Sequence, residues 1–458
     1  MGLFDALTSA VSGLQSQAYA MQNISGNIAN SQTIAYKGIN TNFEDLIPGS
    51  NIATQQVAGG VYSSSISTNT LQGQIQTATS TTDMAISGDG YFVVQTPTSF
   101  TGSQPVFAGG TTYTRRGDFQ LNANGYLVNG AGYYLEGIPI DSTTGAPAGN
   151  TPQPLQFLNN FLPASPTTTI NYGVNLPTTP QTSAYDSSIA NSELLNVSSF
   201  GTDPTVAGTG TVVGSDASTF ISQSIDGGSV TVYDANGTAQ NLQLRWAKTD
   251  STASGGTDTW QLFYETSASA TGSQVAWQNA GIDFTFNSSG QLNPAVTSVA
   301  LNNVSINGDT VGSLTLSSFT GGITQFASSS GQATVNNIQQ NGYGAGQLQS
   351  IAVGQNGAIS GTFSNGQNVN LAQIPLVHFN SADNLKQLSG GAYQATDGSG
   401  AAISGASGQI VGQSLEGSNT DIATEFTKLI VTQQAYSANT KVITTANQMS
   451  QDLMNILR

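Results

Sequence analysis

The sequence predicts a mainly β protein with α-helical termini. Three observations carry that reading: apolar spacings of three and four at both ends, period-two alternation between them, and Asn-Gly turns bounding the alternating runs. In the first segment Phe4, Leu7, Val11, Leu14, Ala18, Met21, Ser25 and Ile28 recur at three and four, a heptad seam with one polar member. In the last, Ile422, Phe426, Leu429 and Tyr436 form one stripe. Val442, Ala446, Met449, Leu453 and Ile456 form a second, offset by six residues where strict register needs seven. Each stripe demands an apolar partner. Burying the large seam residues of the first segment returns less free energy than ordering the segment consumes, and Gly13, Gly26 and the serines are weak helix formers. The ends are therefore expected to stay loose until neighbours surround them. Two amphipathic helices packed on a globular domain would give the same periodicity.

Between the ends, Asn124-Gly125 separates Phe119-Gln120-Leu121 from Tyr126-Leu127-Val128. Asn-Gly is a strong hairpin signal because it accepts positive φ at both turn positions. The dipeptide recurs at Asn236, Asn356 and Asn365. Alternation at Val230 and Val232, at Leu242, Leu244 and Trp246, at Trp260, Leu262 and Tyr264, and at Ile282, Phe284 and Phe286 predicts half-buried antiparallel strands. A Pro, Thr and Ser-rich stretch from Thr143 to Thr182 reads as a crossing between modules, and Gly321 to Gly346 as the return. Residues 146–344 carry eleven acidic residues against only Arg245 and Lys248, and read as an inserted, outward-facing β domain.

Composition bounds the function. A chain of 458 residues exceeds one typical core, so two or three domains are expected. With 25 acidic and 9 basic residues the net charge is −16, which repels phosphate backbones and argues against nucleic-acid or anionic-membrane binding. The absence of cysteine removes disulfides, thiolate catalysis and cysteine metal sites. The N-terminus has no charged n-region or small-residue cleavage site, and Asp5, Ser9, Ser12 and Gln15 interrupt its apolar run, so no cleaved Sec signal is expected. No stretch approaches the ~20 apolar residues of a membrane span.

Catalytic signatures are thin. His378, the only histidine, sits in the apolar run Ile374-Pro375-Leu376-Val377-His378-Phe379 and reads as structural. No G-x-S-x-G elbow or P-loop occurs. Gln120 to Gly125 faintly resembles a calcium loop but lacks its leading Asp and closing Glu, so a hairpin fits better. Arg115-Arg116 could grip an acidic neighbour, although exposed arginines are more often just solvated. No catalytic residue, cofactor or metal site is expected.

The run Asn27-Ile28-Ala29-Asn30-Ser31-Gln32-Thr33-Ile34-Ala35-Tyr36-Lys37 closely resembles the N-I-A-N-x-x-T-x-G-[YF]-K signature of the bacterial flagellar rod and hook proteins, with Ala35 where that family usually has glycine. The resemblance continues through Ala85 to Phe92, Tyr113 to Phe119 and Leu415-Glu416-Gly417-Ser418-Asn419-Thr420-Asp421. It extends to Glu425 to Ile430 and Gln434 to Asn439, with Gln434 in place of a common arginine. Leu162 to Ser165, Asn175 to Pro177 and Asn341 to Leu348 look like the hook members in particular.

The resemblance implies a structural subunit that stacks head to tail into a curved, hollow, flexible tube, a universal joint transmitting torque from rod to filament. Contacts that do not close propagate as a helix. It implies that residues 1–30 and 421–458 pair as a coiled coil near the axis. A connector over 31–70 carries Asn27, Asn30, Thr33, Tyr36 and Lys37 or adjoins them. An inner β domain over 71–145 and 345–420 and an outer one over 146–344 would follow outward, both antiparallel. It further implies export through the flagellar apparatus without a cleaved signal peptide, a location in the extracellular hook of the flagellum outside the cell envelope, and contacts with distal rod, hook cap and hook-filament junction proteins. The alternatives are a distal-rod or hook-associated relative, and a secreted β-rich adhesin or glycan-active protein that would hold sugar on Trp246, Trp260 or Trp277.

Overall fold

The computed structural model describes residues 3–46, 59–107, 109–141, 144–158, 160–317 and 322–456. The chain divides into two compact units, Met1–Asn160 with Leu348–Arg458, and Phe161–Gln347. Three α-helices occur among the described residues: α1 (Leu3–Ala29), α2 (Ala217–Ser222) and α3 (Ile422–Ile456).

In the first unit, consecutive antiparallel neighbours run Ala358–Phe363, Asn368–Gln373, Tyr134–Pro139, Tyr91–Gln95, Thr112–Thr114, Ala392–Gln394 and Lys386–Leu388. Tyr91, Val93, Val377, Phe379, Leu385 and Tyr393 form one of its cores, with Tyr91 edge-on to both Phe379 and Tyr393. The strand Gln153–Pro154 pairs with Tyr134–Pro139, and Leu155 and Phe157 are buried. The second unit accordingly begins at Phe161, later than the expected 146.

α1 runs without proline through 27 residues and stops at Asn30, whose backbone N–H and side-chain Nδ2 both donate to the Gly26 carbonyl. α3 starts on Asp421, whose Oδ1 accepts from the Thr424 backbone N–H at 2.7 Å. That bond and the Thr424 hydroxyl hold the Asp421 carboxyl below the usual carboxylate range. The helices pack antiparallel, because Asn27 meets Glu425 at the root while Gly13 lies against Asn439 further along. A Cβ on Gly13 would come within 2.8 Å of Asn439 Nδ2, so a larger residue there would displace the Asn439 side chain.

The second unit is two five-stranded sheets sharing one core. Thr211–Val213, Val275–Thr285, Thr259–Glu265, Ala239–Asp250 and Ile225–Tyr233 form an antiparallel sheet in that order. Ser298–Ile306, Asp309–Ser317, Thr169–Leu176, Ile323–Gln325 and Thr334–Gln340 form the other. Ile170, Tyr172, Val174 and Leu176 face Leu242, Leu244, Trp246 and Trp260 in the shared interior. Trp246 stacks on Tyr172 and donates Nε1–H to its hydroxyl at 2.9 Å, and that hydroxyl donates to the Gly227 carbonyl at 2.7 Å. The opposite face is covered by α2, whose Phe220 packs on Phe263 and Trp277.

Several expectations change here. The sheets are not wholly antiparallel, because Thr169–Leu176 runs parallel to both Asp309–Ser317 and Ile323–Gln325. The long excursion between residues 176 and 309 supplies the crossover that parallel pairing needs. The stretches read as crossing and return thus contain central strands. Of the Asn-Gly turns singled out, Asn124, Asn236 and Asn365 keep negative φ and only the following glycine is left-handed, giving three-residue hairpins. Asn356-Gly357, and also Asn307-Gly308, place both residues at positive φ. Trp246, Trp260 and Trp277 are buried, so none can offer a face to a sugar.

Candidate functional site

Four of the quoted motifs, those around Asn27 to Lys37, Gly88, Arg115 and Glu416 to Asn419, converge at the root of the terminal helices. After α1 the chain turns through Asn30 to Thr33, where the Thr33 hydroxyl donates to Asn30 Oδ1 at 3.1 Å. At Ala35 it takes φ 55. This is the left-handed conformation that glycine adopts freely and alanine does not, and Ala35 is fully buried there with its N–H donating to the Glu416 carbonyl at 2.8 Å. Alanine thus holds at this position a backbone that glycine would adopt at lower cost.

Two residues on, Lys37 is fully buried. Its Nζ donates to Glu416 Oε1 at 2.5 Å and to the Leu71 carbonyl at 2.6 Å. Glu416 also accepts from the Gly73 N–H at 2.8 Å and from Arg115 Nη1 at 3.4 Å, and Arg115 Nη2 donates to the Gly88 carbonyl at 2.6 Å. Burial pulls the Lys37 ammonium below the ordinary lysine range, with Glu416 pulling the other way. One carboxylate thus ties the connector, the Tyr113 to Phe119 motif and the segment entering α3. Of the two readings of Arg115-Arg116, the grip on acidic neighbours holds and solvation does not: Arg115 is buried against Glu416, and Arg116 makes a fork on Asp118 at 2.7 and 2.8 Å.

Around this charge cluster the amides close the junction. Asn27 Nδ2 donates to the Ile39 carbonyl and to Glu425 Oε2, while its Oδ1 accepts from the Ile39 N–H and the Tyr36 hydroxyl. Asn419 Oδ1 accepts from the Gly38 N–H at 2.8 Å, its backbone N–H donates to the Tyr36 carbonyl at 3.1 Å, and its Nδ2 donates to Thr68. Burial raises the Tyr36 phenol above its usual range, aided by the nearby Glu425 charge.

Above the root, the connector folds back as a hairpin of Ile39–Asp45 and Val61–Ser67 that lies along α1. A polar stripe holds it. Ser9 and Ser16 hydroxyls donate to the Gly59 and Val61 carbonyls, Ser12 Oγ accepts from the Val61 N–H, Tyr19 bonds Ser65, and Asn23 donates to Thr41 and Ser65. In the sequence Ser9 and Ser12 read as interruptions of an apolar run. The spacing of Ser9, Ser12, Ser16, Tyr19, Asn23 and Asn27 is itself a helical face, and that is the available signal.

The expected seam is distributed differently. The buried positions of α1 are Ala10, Gly13, Ser16, Ala20, Ile24 and Asn27, small or polar for the most part. Phe4 is 79% exposed, Val11 and Ala18 are exposed, and Leu7, Leu14, Met21 and Ile28 are half-buried. On α3, Glu425, Thr432 and Ala446 are buried and Leu429 half-buried, whereas Ile422, Phe426, Tyr436, Val442, Met449 and Leu453 are exposed. Ile430, Val431 and Met454 add to that exposed apolar surface. The Ile456 side chain lies outside the described residues. Within one chain the two helices meet mainly through small and polar side chains with Ile24, and most of their bulky apolar residues are left partly or largely exposed.

Sequence comparison agrees along the whole length. The family model described as flagellar hook protein FlgE/F/G D1 domain matches residues 85–192, the flagellar basal body protein FlaE D2 domain matches 215–343, and the flagellar basal body rod FlgEFG protein C-terminal matches 411–456. The flagellar hook protein FlgE of Brucella melitensis is 31% identical, with all of both chains covered. That of Salmonella typhimurium is 30% identical, covering 98% of this chain and 100% of its own. The crystal structure of Helicobacter pylori flagellar hook protein FlgE2 superposes with a TM-score of 0.49 and 17% identity, over 74% of this chain and 100% of that one.

Proposed function

Given that the chain belongs to the flagellar hook protein family, we propose that its terminal helices assemble copies of itself into the tube of the bacterial flagellar hook. The protein is a structural hook subunit serving motility. The observation that carries the assembly reading is the outward apolar surface of α1 and α3, with Phe4, Val11, Ile422, Phe426, Tyr436, Val442, Met449 and Leu453 left without cover in a single chain. A soluble monomer gains nothing from so long an apolar surface, whereas neighbouring copies would bury it. The coiled coil of this account forms between chains along the expected seam, with Leu7, Leu14, Leu429 and their neighbours completing it.

The buried root sets where the helices leave the β units, so that every copy presents the same surface. Residues 31–70 act as the connector, 71–145 with 345–420 as the inner β part, and the inserted unit as the outer one. Distal rod, hook cap and hook-filament junction proteins meet the two ends of the tube. Export proceeds through the flagellar apparatus with an uncleaved N-terminus, which places the protein outside the cell envelope.

Phe426→Asp tests this reading. The side chain is half exposed at a helical position, so the variant is expected to keep wild-type circular dichroism and melting while electron microscopy finds no tubes. Tubes of normal length and yield from that variant would refute it.

A further inference from the structure

A cavity of about 500 Å³ lies beside the charge cluster, walled in part by Thr70, Asp89, Tyr91, Arg115, His378 and Asn380. Two of these walls carry buried nitrogens with no hydrogen-bond partner among the described residues, Arg115 Nε and His378 Nδ1. The Arg115 side chain is only 3% exposed. Guanidinium N–H groups only donate, and imidazole Nδ1 donates in one of its two neutral tautomers. A buried donor left unpaired costs about 1–3 kcal/mol, so Arg115 Nε favours a guest rich in acceptors, and such a guest selects the tautomer in which His378 Nδ1 donates as well.

Charge points the same way. Lys37 and Arg115 share the single carboxylate of Glu416, which leaves one buried positive charge over. Two carboxylates oppose it, Asp89 and Asp383, the latter accepting from the Thr70 N–H and hydroxyl at 3.4 and 3.5 Å; both are exposed and solvated, so their field is screened more than that of the buried cation. One surplus charge suits a monoanion better than a phosphate dianion. The guanidinium is held in place by the Tyr91 ring, 5.5 Å from its carbon, and by the Gly88 carbonyl.

We propose that this cavity binds a carboxylate, whose oxygens accept from Arg115 Nε and His378 Nδ1. The source is either a small free carboxylate or an acidic side chain of a second copy, since acidic residues number 25 against 9 basic. Binding to the free chain does not depend on assembly, so its failure is separable from failure of the assembly reading.

His378 is the only histidine, and its imidazole resonances report on the cavity without ambiguity. Full-length chain in dilute solution is titrated with sodium acetate and, at equal ionic strength, with sodium chloride. A saturable shift of the His378 ring nitrogens with acetate alone is expected. Arg115→Lys, which keeps the charge but loses Nε–H, is expected to weaken that binding by roughly tenfold. No shift, or the same shift with chloride, overturns the proposal, and the wild-type comparison decides even where the variant fails to fold. In assembled tubes, a His378 signal already at the acetate-bound position and indifferent to acetate identifies the neighbour's side chain as the source. A signal that still moves with acetate identifies a free carboxylate.

Discussion

Glu416→Gln probes the root directly. Glu416 accepts from Lys37 Nζ at 2.5 Å, Gly73 N at 2.8 Å and Arg115 Nη1 at 3.4 Å, with both ion-pair side chains almost wholly out of water. Glutamine keeps the shape and one acceptor oxygen, so the Gly73 bond survives in the variant. What is lost is the charge that offsets two buried cations, and removing one member of a buried pair costs about 3–5 kcal/mol. The lower end, about 3 kcal/mol, applies here because the amide retains part of the hydrogen bonding. The assay is amide hydrogen exchange at Ala35 and Gly38, whose N–H groups donate to the Glu416 carbonyl and to Asn419 Oδ1. Exchange through local opening should speed up by about two decades, since each 1.36 kcal/mol is a factor of ten. Lys37→Met on the Glu416→Gln background should recover part of the loss, as expected for directly coupled residues. Wild-type exchange rates at both amides in Glu416→Gln would refute the claim that this carboxylate secures the junction.

Other consequences are simpler to measure. Ala35→Gly relieves a left-handed alanine and is expected to raise stability by about 0.5–1 kcal/mol, read by chemical denaturation, while Ala35→Val lowers it. Tyr172→Phe strands Trp246 Nε1–H and the Gly227 carbonyl in the core of the second unit, and should cost about 2 kcal/mol in the unfolding transition followed by tryptophan fluorescence. Burial raises the Glu136 carboxyl from its ordinary 4.5 to about 7. The folded state then binds the proton more tightly than the unfolded one. The stability this gives is fully present below pH 4.5 and is lost as pH rises through about 7. Glu136→Gln should therefore match wild type in melting temperature at pH 4 and exceed it at pH 8.

Much of this architecture was legible before the structure. Periodicity of three and four marked both long helices, and the alternation at Leu242, Leu244 and Trp246 placed all three side chains in the core. The strand Thr169–Leu176 was harder. Its alternation of Ile170, Tyr172, Val174 and Leu176 sits inside a Pro, Thr and Ser-rich stretch, and composition outweighed the pattern. Long-range pairing was out of reach altogether, since parallel neighbours from residues 169 and 309 leave no local trace.

At the root, the motif residues Asn27, Asn30, Thr33, Tyr36 and Lys37 were visible as a signature. The partner of Lys37 was not, because Glu416 lies 379 positions away and carboxylates are ordinarily solvated. Heptad counting found the apolar residues of α1 and α3 but could not say which partner each meets. In the folded chain the small and polar positions are the ones that pair internally, because two helices approach most closely where side chains are short.

The central claim is that the outward apolar surface of α3 becomes covered by other copies of the chain. The sequence has no cysteine, so Met449→Cys on that surface and Thr271→Cys on an exposed turn of the second unit each give a single thiol. Labelling rates with a maleimide are compared between dilute chain and assembled tubes. The account predicts that Met449→Cys reacts freely in the dilute chain and becomes protected in tubes, while Thr271→Cys reacts in both. Equal reactivity of Met449→Cys before and after assembly would contradict it.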